Sequence, residues 1–346
     1  MDKEQFHKRN HYIPQMYLKN WSSDNKKIWQ KKLLVSNENI PEWQKVSIDN
    51  TAYQTDLYSN AFLGDRIERM FDKSYEEPAK DPIDKLINGL RLTMQDWEKL
   101  IYFVGAQSLR TPARYFKSSE RMKQILPQIL EDTFQKLQCE LEIYDKTGVV
   151  PSTHKCNVKS DILPIKVSIE DSEEKGIANL KTEMIISRAN WLYEIEYIMN
   201  NTAKVLLNTK WSVIKPADDC EWITSDDPVI CLNHYDEDKY DFGGGWGNIG
   251  SEIIFPISPM HLLYTQIGKR YESKWQADNR QTQLFNRLTI EHAFRRVYSS
   301  DTYKEKIKYR NRIVDVQQYK QEEEFFQNWG SIHDAIENEY YSYQKV

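Results

Sequence analysis

Two short segments of this sequence carry side chains that could act on a substrate or hold a metal ion. The first, residues 9–22 (RNHYIPQMYLKNWS), contains His11 and Gln15. An imidazole titrates near neutral pH, so His11 could carry a proton or bind a metal ion. The alternative is structural, with His11 hydrogen-bonded to the backbone so that it fixes the N-terminal segment. The sequence does not decide between the two.

The second segment is ITSDDPV, residues 223–229, where a hydroxyl and two carboxylates interrupt apolar β-type sequence. Pro228 cannot donate a hydrogen bond to a strand ladder, so we expect a strand end or turn there. Asp and Ser in such turns commonly bond to their own backbone, which explains one acidic residue better than two. Alternatively, Asp226 could coordinate a divalent cation or orient a base, with Ser225 beside it contacting substrate.

Polar side chains also fall on an apolar helical stripe in residues 103–115 (FVGAQSLRTPARY). Gln107 continues the stripe, and Arg110 and Thr111 follow it by three and four residues on the same side. Pro112 disfavours helical geometry at Thr111, so we expect Thr111 to cap a second helix that begins at Pro112.

An inward arginine beside a glutamine has two interpretations. The guanidinium of Arg110 and the amide of Gln107 suit recognition of a carboxylate or phosphate group. Alternatively, Arg110 forms an internal salt bridge with Glu68 or Glu77 that pins helices together. Both interpretations stay open at this stage.

The elements that must position these residues fall into zones. Residues 1–60 contain short strands, residues 62–209 are mainly helical, residues 211–300 are rich in strands, and residues 301–346 form a polar helical tail. Because helices and strands are grouped, the pattern predicts the α+β class. We expect the N-terminal and C-terminal strands to share a mixed or antiparallel sheet on which the helical region packs, in a single domain of residues 1–346.

Several local predictions follow from helical and strand periodicity. Thr93 should cap a helix whose first turn contains Asp96. Residues 166–176 (KVSIEDSEEKG) read as a charged loop, and most of residues 179–208 read as one long helix. A further helix is expected at residues 277–294.

Composition narrows the class of protein. The net charge of −5 argues against a chain coated in positive charge for nucleic acid, although residues 1–32 hold eight Lys/Arg against three Asp/Glu. The four cysteines show no zinc-ligand spacing, which favours buried thiols in a reducing cytosol. The sequence shows neither an apolar leader nor a run of about 18 apolar residues, so we expect a cytoplasmic protein without a membrane partner.

The motifs resemble a bacterial domain-of-unknown-function family (type 4238). HYIPQMYLKNW, QSLRTPARY, ITSDDPV and FPISP occur in that family's order, and the resemblance covers about residue 9 to about residue 300. It implies a bacterial cytosolic or mobile-element protein and supplies no activity. It also implies that one shared pattern contains His11, Gln15, Gln107, Arg110, Ser225 and Asp226.

We expect these polar residues to converge in one pocket between the helical zone and the C-terminal strands. An imidazole, carboxylates and a guanidinium suit metal-assisted hydrolysis of a phosphodiester. In this nuclease-like hypothesis His11 and Asp226 hold Mg²⁺ or Mn²⁺ and are catalytic together with Glu68. The substrate-binding residues are then Gln15, Gln107, Arg110, Thr111 and Ser225.

The rival hypothesis is non-catalytic. The same residues could bind a small anionic ligand or a nucleotide, or form a buried structural cluster inside a protein-interaction module. Nucleic acid is a partner under the first hypothesis and a small anion under the second. The sequence contains no D…E-x-K or H-x-x-E signature that favours the nuclease.

Overall fold

The chain forms two compact units. A computed structural model describes residues 9–59, 64–148, 165–171, 178–184, 186–236, 239–302 and 310–343. The first unit comprises Met1–Arg114 and Ile195–Ser331, and the second comprises Tyr115–Glu194 and Ile332–Val346. The single domain of residues 1–346 stays a prediction, and each unit is described by itself.

Helices make up most of the regular structure in the described residues. A π-helical turn, Phe71–Glu76, joins α2 to α3, and a second π-helical segment with a 3₁₀ helix follows α6 over residues 198–208. The α-helices are α1 (Gln15–Leu18), α2 (Arg66–Met70), α3 (Glu77–Ile87), α4 (Met94–Leu109), α5 (Pro112–Thr147), α6 (Arg188–Tyr197), α7 (Asn279–His292), α8 (Val316–Gln327) and α9 (Trp329–Tyr343).

The strands are short, and most come from the two ends of the chain. They are β1 (Arg9–His11), β2 (Lys27–Lys32), β3 (Leu34–Val35), β4 (Trp43–Ser47), β5 (Tyr53–Thr55), β6 (Ile165–Asp171), β7 (Ala178–Met184), β8 (Ser212–Lys215), β9 (Thr224–Ser225), β10 (Ile230–Asp236), β11 (Lys239–Asp241), β12 (Ser251–Ser258), β13 (His261–Gln266), β14 (Lys274–Gln276), β15 (Arg296–Ser299) and β16 (Ile313–Val314).

Two sheets dominate the first unit. One has six strands in the order β11-β10-β12-β13-β8-β14 and is mixed, because β14 runs parallel to β8. The other has four antiparallel strands in the order β4-β2-β15-β9. This second sheet places β15 between N-terminal β2 and C-terminal β9, which confirms that the two ends of the chain share a sheet and that the fold is α+β.

One hydrophobic cluster of the first unit lies between the six-stranded sheet and α7. Every residue of β12 is buried, so its sequence SEIIFPIS is nearly continuous in apolar character instead of alternating. Ile254 of this strand, Trp222 and Leu288 of α7 belong to one buried cluster. The helix begins with a capping box in which Asp278 accepts from the backbone of Gln281.

Local capping signals were read correctly from the sequence. Thr93 and Asp96 form a reciprocal capping box at the start of α4. Thr111 Oγ1 accepts the backbone N–H of Arg114 at 3.2 Å, so the predicted second cap, at the start of α5, is also confirmed. Helix α5 continues through Pro127 without a break in its assigned span.

The second unit corrects two predictions. Residues 166–171 belong to strand β6 and not to a loop, and residues 179–184 belong to strand β7 and not to a long helix. The two strands pair antiparallel, with Val167 opposite Thr182 and Ile169 opposite Leu180. The period-2 alternation of β-branched and apolar residues outweighs the helical propensity of the charged residues between them. Helical structure begins only at α6 and continues into the π-helical and 3₁₀ segments.

The described helices include none that is both long and apolar enough to cross a membrane.

Candidate functional site

Arg110 lies at the C-terminal end of α4 and is 1% exposed. Its guanidinium forms an ion pair with Glu76, and Nη2 donates to the backbone oxygen of His11 at 2.6 Å. The guanidinium carbon lies 4.5 Å from the ring centroid of Phe71. These contacts enclose the charge within the protein, and they agree with the salt-bridge interpretation of this residue.

The partner of Arg110 differs from the two glutamates that the sequence suggested. It is Glu76, the last residue of the π-helical turn, and not Glu68 or Glu77. A π-helical turn contains more residues than an α-helical one, so it shifts which side chains face a neighbouring helix. Helical periodicity does not reveal this π-helical turn, and the predicted partner of Arg110 was therefore wrong.

Glu68 lies on α2 close to the same guanidinium. Burial raises the pKa of Glu68 to about 7, and the negative charge of Glu76 adds to this, whereas the charge of Arg110 lowers it. Its Oε2 is buried and has no hydrogen-bond partner among the described residues. A carboxyl group with this pKa exchanges a proton near neutral pH.

His11 lies at the end of β1, with its ring centroid 5.7 Å from that of Tyr53. Its Nε2 lies 3.0 Å from Nε2 of Gln15, so the amide of Gln15 donates to the imidazole. Burial and the charges of Arg9 and Arg110 lower the pKa of His11. These effects favour the neutral imidazole, whose Nε2 is engaged by Gln15 and whose Nδ1 has no hydrogen-bond partner among the described residues.

Gln107 and Thr111 tie α4 and the start of α5 to distant segments. Gln107, fully buried, donates from Nε2 to the backbone oxygen of Tyr12 at 3.0 Å. Thr111 Oγ1 donates to Oδ1 of Asp227 at 2.9 Å. Oδ2 of the same aspartate lies 3.6 Å from Nε2 of His292.

Asp226 is 1% exposed and holds the turn that precedes β15. Oδ1 accepts the backbone N–H of Phe294 and Oδ2 accepts that of Arg295, both at 2.9 Å. Burial raises the pKa of Asp226 to about 6, against the opposing charge of Arg296. Next to it, Ser225 Oγ accepts the backbone N–H of Asp227 at 3.2 Å. These bonds to the backbone stabilise a turn, as the structural interpretation of this motif predicts.

Three of the predicted residues therefore bind other motifs directly, either at the backbone of residues 11–12 or at the SDDP turn. Gln107 and Arg110 bind the backbone of the HYIP motif, and Thr111 binds the SDDP motif. None of the predicted site residues lines the cavity that lies between the β-strands and helix α8. Their sequence neighbours do, because Tyr12, Pro112 and Arg295 all contribute to its wall.

A cavity of about 500 Å³ lies in the first unit between the β-strands and helix α8. Its size is in the range of small-molecule sites. Five aromatic rings supply much of the wall, and they are Tyr12, Tyr53, Phe294, Tyr319 and Phe326. Polar groups come mainly from the segment before and within β5, and they include Asn50, Thr51, Gln54 and Thr55.

Two cations on the strand side of the cavity form no direct ion pair with a carboxylate among the described residues. Arg296, the first residue of β15, donates from Nη1 to the hydroxyl of Tyr12 at 2.7 Å and forms no ion pair within the described residues. Lys32, on the neighbouring strand β2, directly opposes Arg296 in the sheet register and likewise forms no ion pair there. Burial and the charge of Arg296 lower the pKa of Lys32. Two cations side by side create a positive potential that an anion would relieve.

Three further charged groups complete the wall. Arg295 forms a bidentate ion pair with Glu322 of α8, with Nε 2.7 Å from Oε2. Glu323 of α8 also lines the cavity and is close enough to raise the pKa of Lys32 in part. The strand side is therefore basic and the α8 side acidic.

Comparison with known proteins decides the family. The family model described as a protein of unknown function, DUF4238, matches residues 9–303. The chain belongs to the DUF4238 family. Neither the curated proteins nor the solved structures include a significant match.

The DUF4238 segment contains the strand side of the cavity and not its acidic side. Lys32, Arg295 and Arg296 lie within the matched residues 9–303, whereas α8 begins at Val316. Sequence reasoning did not identify Lys32, Arg295 and Arg296, because charged residues on or beside a short strand are common and do not by themselves indicate a site. The one available signal was the Arg295–Arg296 pair at the start of β15, which pairs with β2.

The described residues also include no group of three or more His, Cys, Asp or Glu side chains placed to hold a metal ion. Cys139, Cys220 and Cys231 form no disulfide within the described residues, and Cys156 lies outside them. The proposed ligand pair of His11 and Asp226 would need further donors from outside these groups.

Proposed function

We propose that this DUF4238 protein binds a nucleotide-sized anion in the cavity between β2, β5, β15 and helix α8. The observation that carries the proposal is the pair Lys32 and Arg296, two adjacent cations that line the cavity and form no direct ion pair with a carboxylate in the part of the chain that the structure describes. The binding of an anion or nucleotide was the non-catalytic hypothesis drawn from the sequence. The proposed site is the cavity wall next to the motif residues and not the motif residues themselves.

Charge favours an anion as the ligand. Arg296 keeps donors available, since a guanidinium has five N–H groups and one bond to Tyr12 is assigned. A guanidinium binds phosphate through two parallel hydrogen bonds, and a lysine supplies a further point charge. An anion at this place would restore the pKa of Lys32 toward its usual value, because it would offset the repulsion from Arg296.

The remaining wall suits a ligand with a flat apolar part. Tyr12, Tyr53 and Phe294 line the cavity outside α8, and aromatic rings stack on nucleobases at about 1–3 kcal/mol per base. The volume of about 500 Å³ accommodates a nucleotide. Asn50 and Gln54 offer amides for hydrogen bonds to its polar edges.

The motif residues act in this proposal as positioning residues. Asp226 fixes the backbone at Phe294 and Arg295 and thereby the direction of Arg296. Gln107 fixes the carbonyl of Tyr12, whose hydroxyl accepts from Arg296. The polar network thus holds in place the backbone segments that carry the ligand-binding residues of the cavity wall.

Titration calorimetry tests the proposal. We expect adenosine diphosphate to bind the wild type, and Arg296→Gln to weaken binding by about 10- to 100-fold, as the loss of a hydrogen bond to a charged group predicts. Arg270→Gln is the matched control, because Arg270 is exposed and does not line the cavity. Binding that is equal in wild type and Arg296→Gln, or no binding to either, overturns the proposal.

Metal-assisted phosphodiester hydrolysis is the second candidate. The observation in its favour is Glu68, whose pKa of about 7 suits general acid–base chemistry. Under it, Mg²⁺ or Mn²⁺ raises the melting temperature of the wild type, and DNA or RNA is cleaved in a metal-dependent way that Glu68→Gln abolishes. Intact nucleic acid together with an unchanged melting temperature rejects this candidate and leaves anion binding unaffected.

A further inference from the structure

We propose that helix α8 is a built-in acidic competitor for the anion site, and that the ligand carries at least two anionic groups that replace Glu322 and Glu323. This inference rests on the proposed anion-binding function. It adds the chemical class of the ligand and a means of regulation.

The position of α8 supports it first. Two glutamates of one helical turn, Glu322 and Glu323, line the same cavity as Lys32, Arg295 and Arg296. Glu322 occupies the Nε–Nη2 edge of the Arg295 guanidinium in the bidentate arrangement that a phosphate group would use. The carboxylates therefore occupy part of the positive potential that an incoming anion needs.

The attachment of α8 supports it second. No residue of α8 is fully buried, although Phe325 and Phe326 are half-buried and pack against the buried Trp329. On the strand side the helix is held by contacts that include the ion pair of Glu322, the bond from Gln54 Nε2 to the backbone oxygen of Phe326 at 2.6 Å, and the preceding β16, which pairs with β3. An ion pair of partly exposed groups contributes about 0–1 kcal/mol, so an anion can displace it.

The boundary of the family match supports it third. The match ends at residue 303, and α8 starts at Val316, beyond it. The basic wall thus lies within the DUF4238 match, and the acidic residues of α8 lie beyond its end. With α8 moved away, three cations would face the cavity and no carboxylate among its lining residues would remain.

The charges define the ligand class. Replacing both glutamates requires two anionic groups joined to a part that fits between the aromatic rings. A nucleoside diphosphate meets this requirement, and a nucleoside monophosphate meets it less well. We therefore expect adenosine diphosphate to bind more tightly than adenosine monophosphate.

The matched variants come from three consecutive residues. Glu322→Gln with Glu323→Gln removes the acidic groups of the wall while it retains side-chain size and helix propensity. Glu324→Gln removes one charge from the same helix at an exposed position that does not line the cavity. The dissociation constant of adenosine diphosphate is measured by titration calorimetry for each variant in the full-length chain.

We expect the double variant to bind adenosine diphosphate about tenfold more tightly than the wild type, and Glu324→Gln to stay within about twofold. Equal affinities of wild type and double variant overturn the inference and leave the anion site standing. Loss of binding in all variants overturns the proposed function and the inference with it.

Hydrogen exchange gives a second measurement that does not depend on the variants. In the wild type, saturating adenosine diphosphate should increase amide exchange in residues 316–327, because the helix loses its ion pair to Arg295. Exchange that slows or stays unchanged in this segment while the nucleotide binds contradicts displacement of α8.

Discussion

The carboxylate of Asp226 accepts a backbone N–H on each oxygen, from Phe294 and from Arg295. Its chemical type fits a metal site, yet its surroundings are those of a turn residue that fixes a loop. The two hydrogen bonds offset part of the cost of removing this carboxylate from water. Burial nevertheless raises the pKa of Asp226 to about 6. At the scale of the residue, the geometry makes it a positioning group for the neighbouring Arg296.

Asp226→Asn should therefore destabilise the protein. The amide retains one acceptor oxygen, and its NH₂ group would face a backbone donor, which leaves that N–H unsatisfied. We expect the free energy of unfolding to fall by about 1–3 kcal/mol, measured by urea denaturation at pH 8, where the wild-type carboxylate is ionised.

Asp84→Asn is the control for this variant, because Asp84 is exposed on α3 and such changes stay within about 0.5 kcal/mol. Wild-type stability of Asp226→Asn combined with loss of a metal-dependent activity would instead support the metal-site interpretation.

At the scale of elements, the junction between α4 and α5 joins three motifs. Thr111 caps α5 through Arg114 and donates to Asp227, while the preceding Arg110 ends α4. The cap was predictable, because Thr followed by Pro is a local helix-start signal. The bond to Asp227 was not, since it joins residues 116 positions apart.

Thr111→Val keeps the side-chain shape and removes both bonds. We expect a loss of about 1–3 kcal/mol in the free energy of unfolding, from the missing cap and the unsatisfied carboxylate oxygen of Asp227. Thr133→Val on the exposed surface of the same helix serves for comparison. Equal losses in the two variants would show that the junction is not specially stabilised.

Other elements show where local sequence information ends. The shared sheet of β2 and β15 was inferred correctly, because isolated N-terminal strands need partners. The β6–β7 hairpin was missed, since its charged residues read as a loop and a helix. The cavity was missed because Lys32 and Arg296 are far apart in the sequence and become neighbours only when β2 and β15 pair.

At the scale of the whole molecule, global stability should depend on pH through Glu68. Burial raises the pKa of Glu68 from 4.5 to about 7, so the native state binds this proton more tightly than the unfolded chain. The resulting stability is fully present below pH 4.5 and is lost as the pH rises through about 7.

Glu68→Gln removes this dependence. Between pH 5 and pH 8 we expect the wild type to lose about 1–3 kcal/mol more than the variant, measured by urea denaturation at each pH. Glu98→Gln, an exposed change on α4, should retain the wild-type pH dependence. Parallel curves for wild type and Glu68→Gln would show that the carboxyl group does not titrate differently in the two states.

The central claim concerns the cavity, and a crystal structure of the full-length protein with saturating adenosine diphosphate tests it most directly. The account predicts phosphate oxygens at about 3 Å from the guanidinium of Arg296 and the ammonium of Lys32, with the base among the aromatic rings of the wall. Nucleotide density at another place on the protein, with an empty cavity, would contradict it.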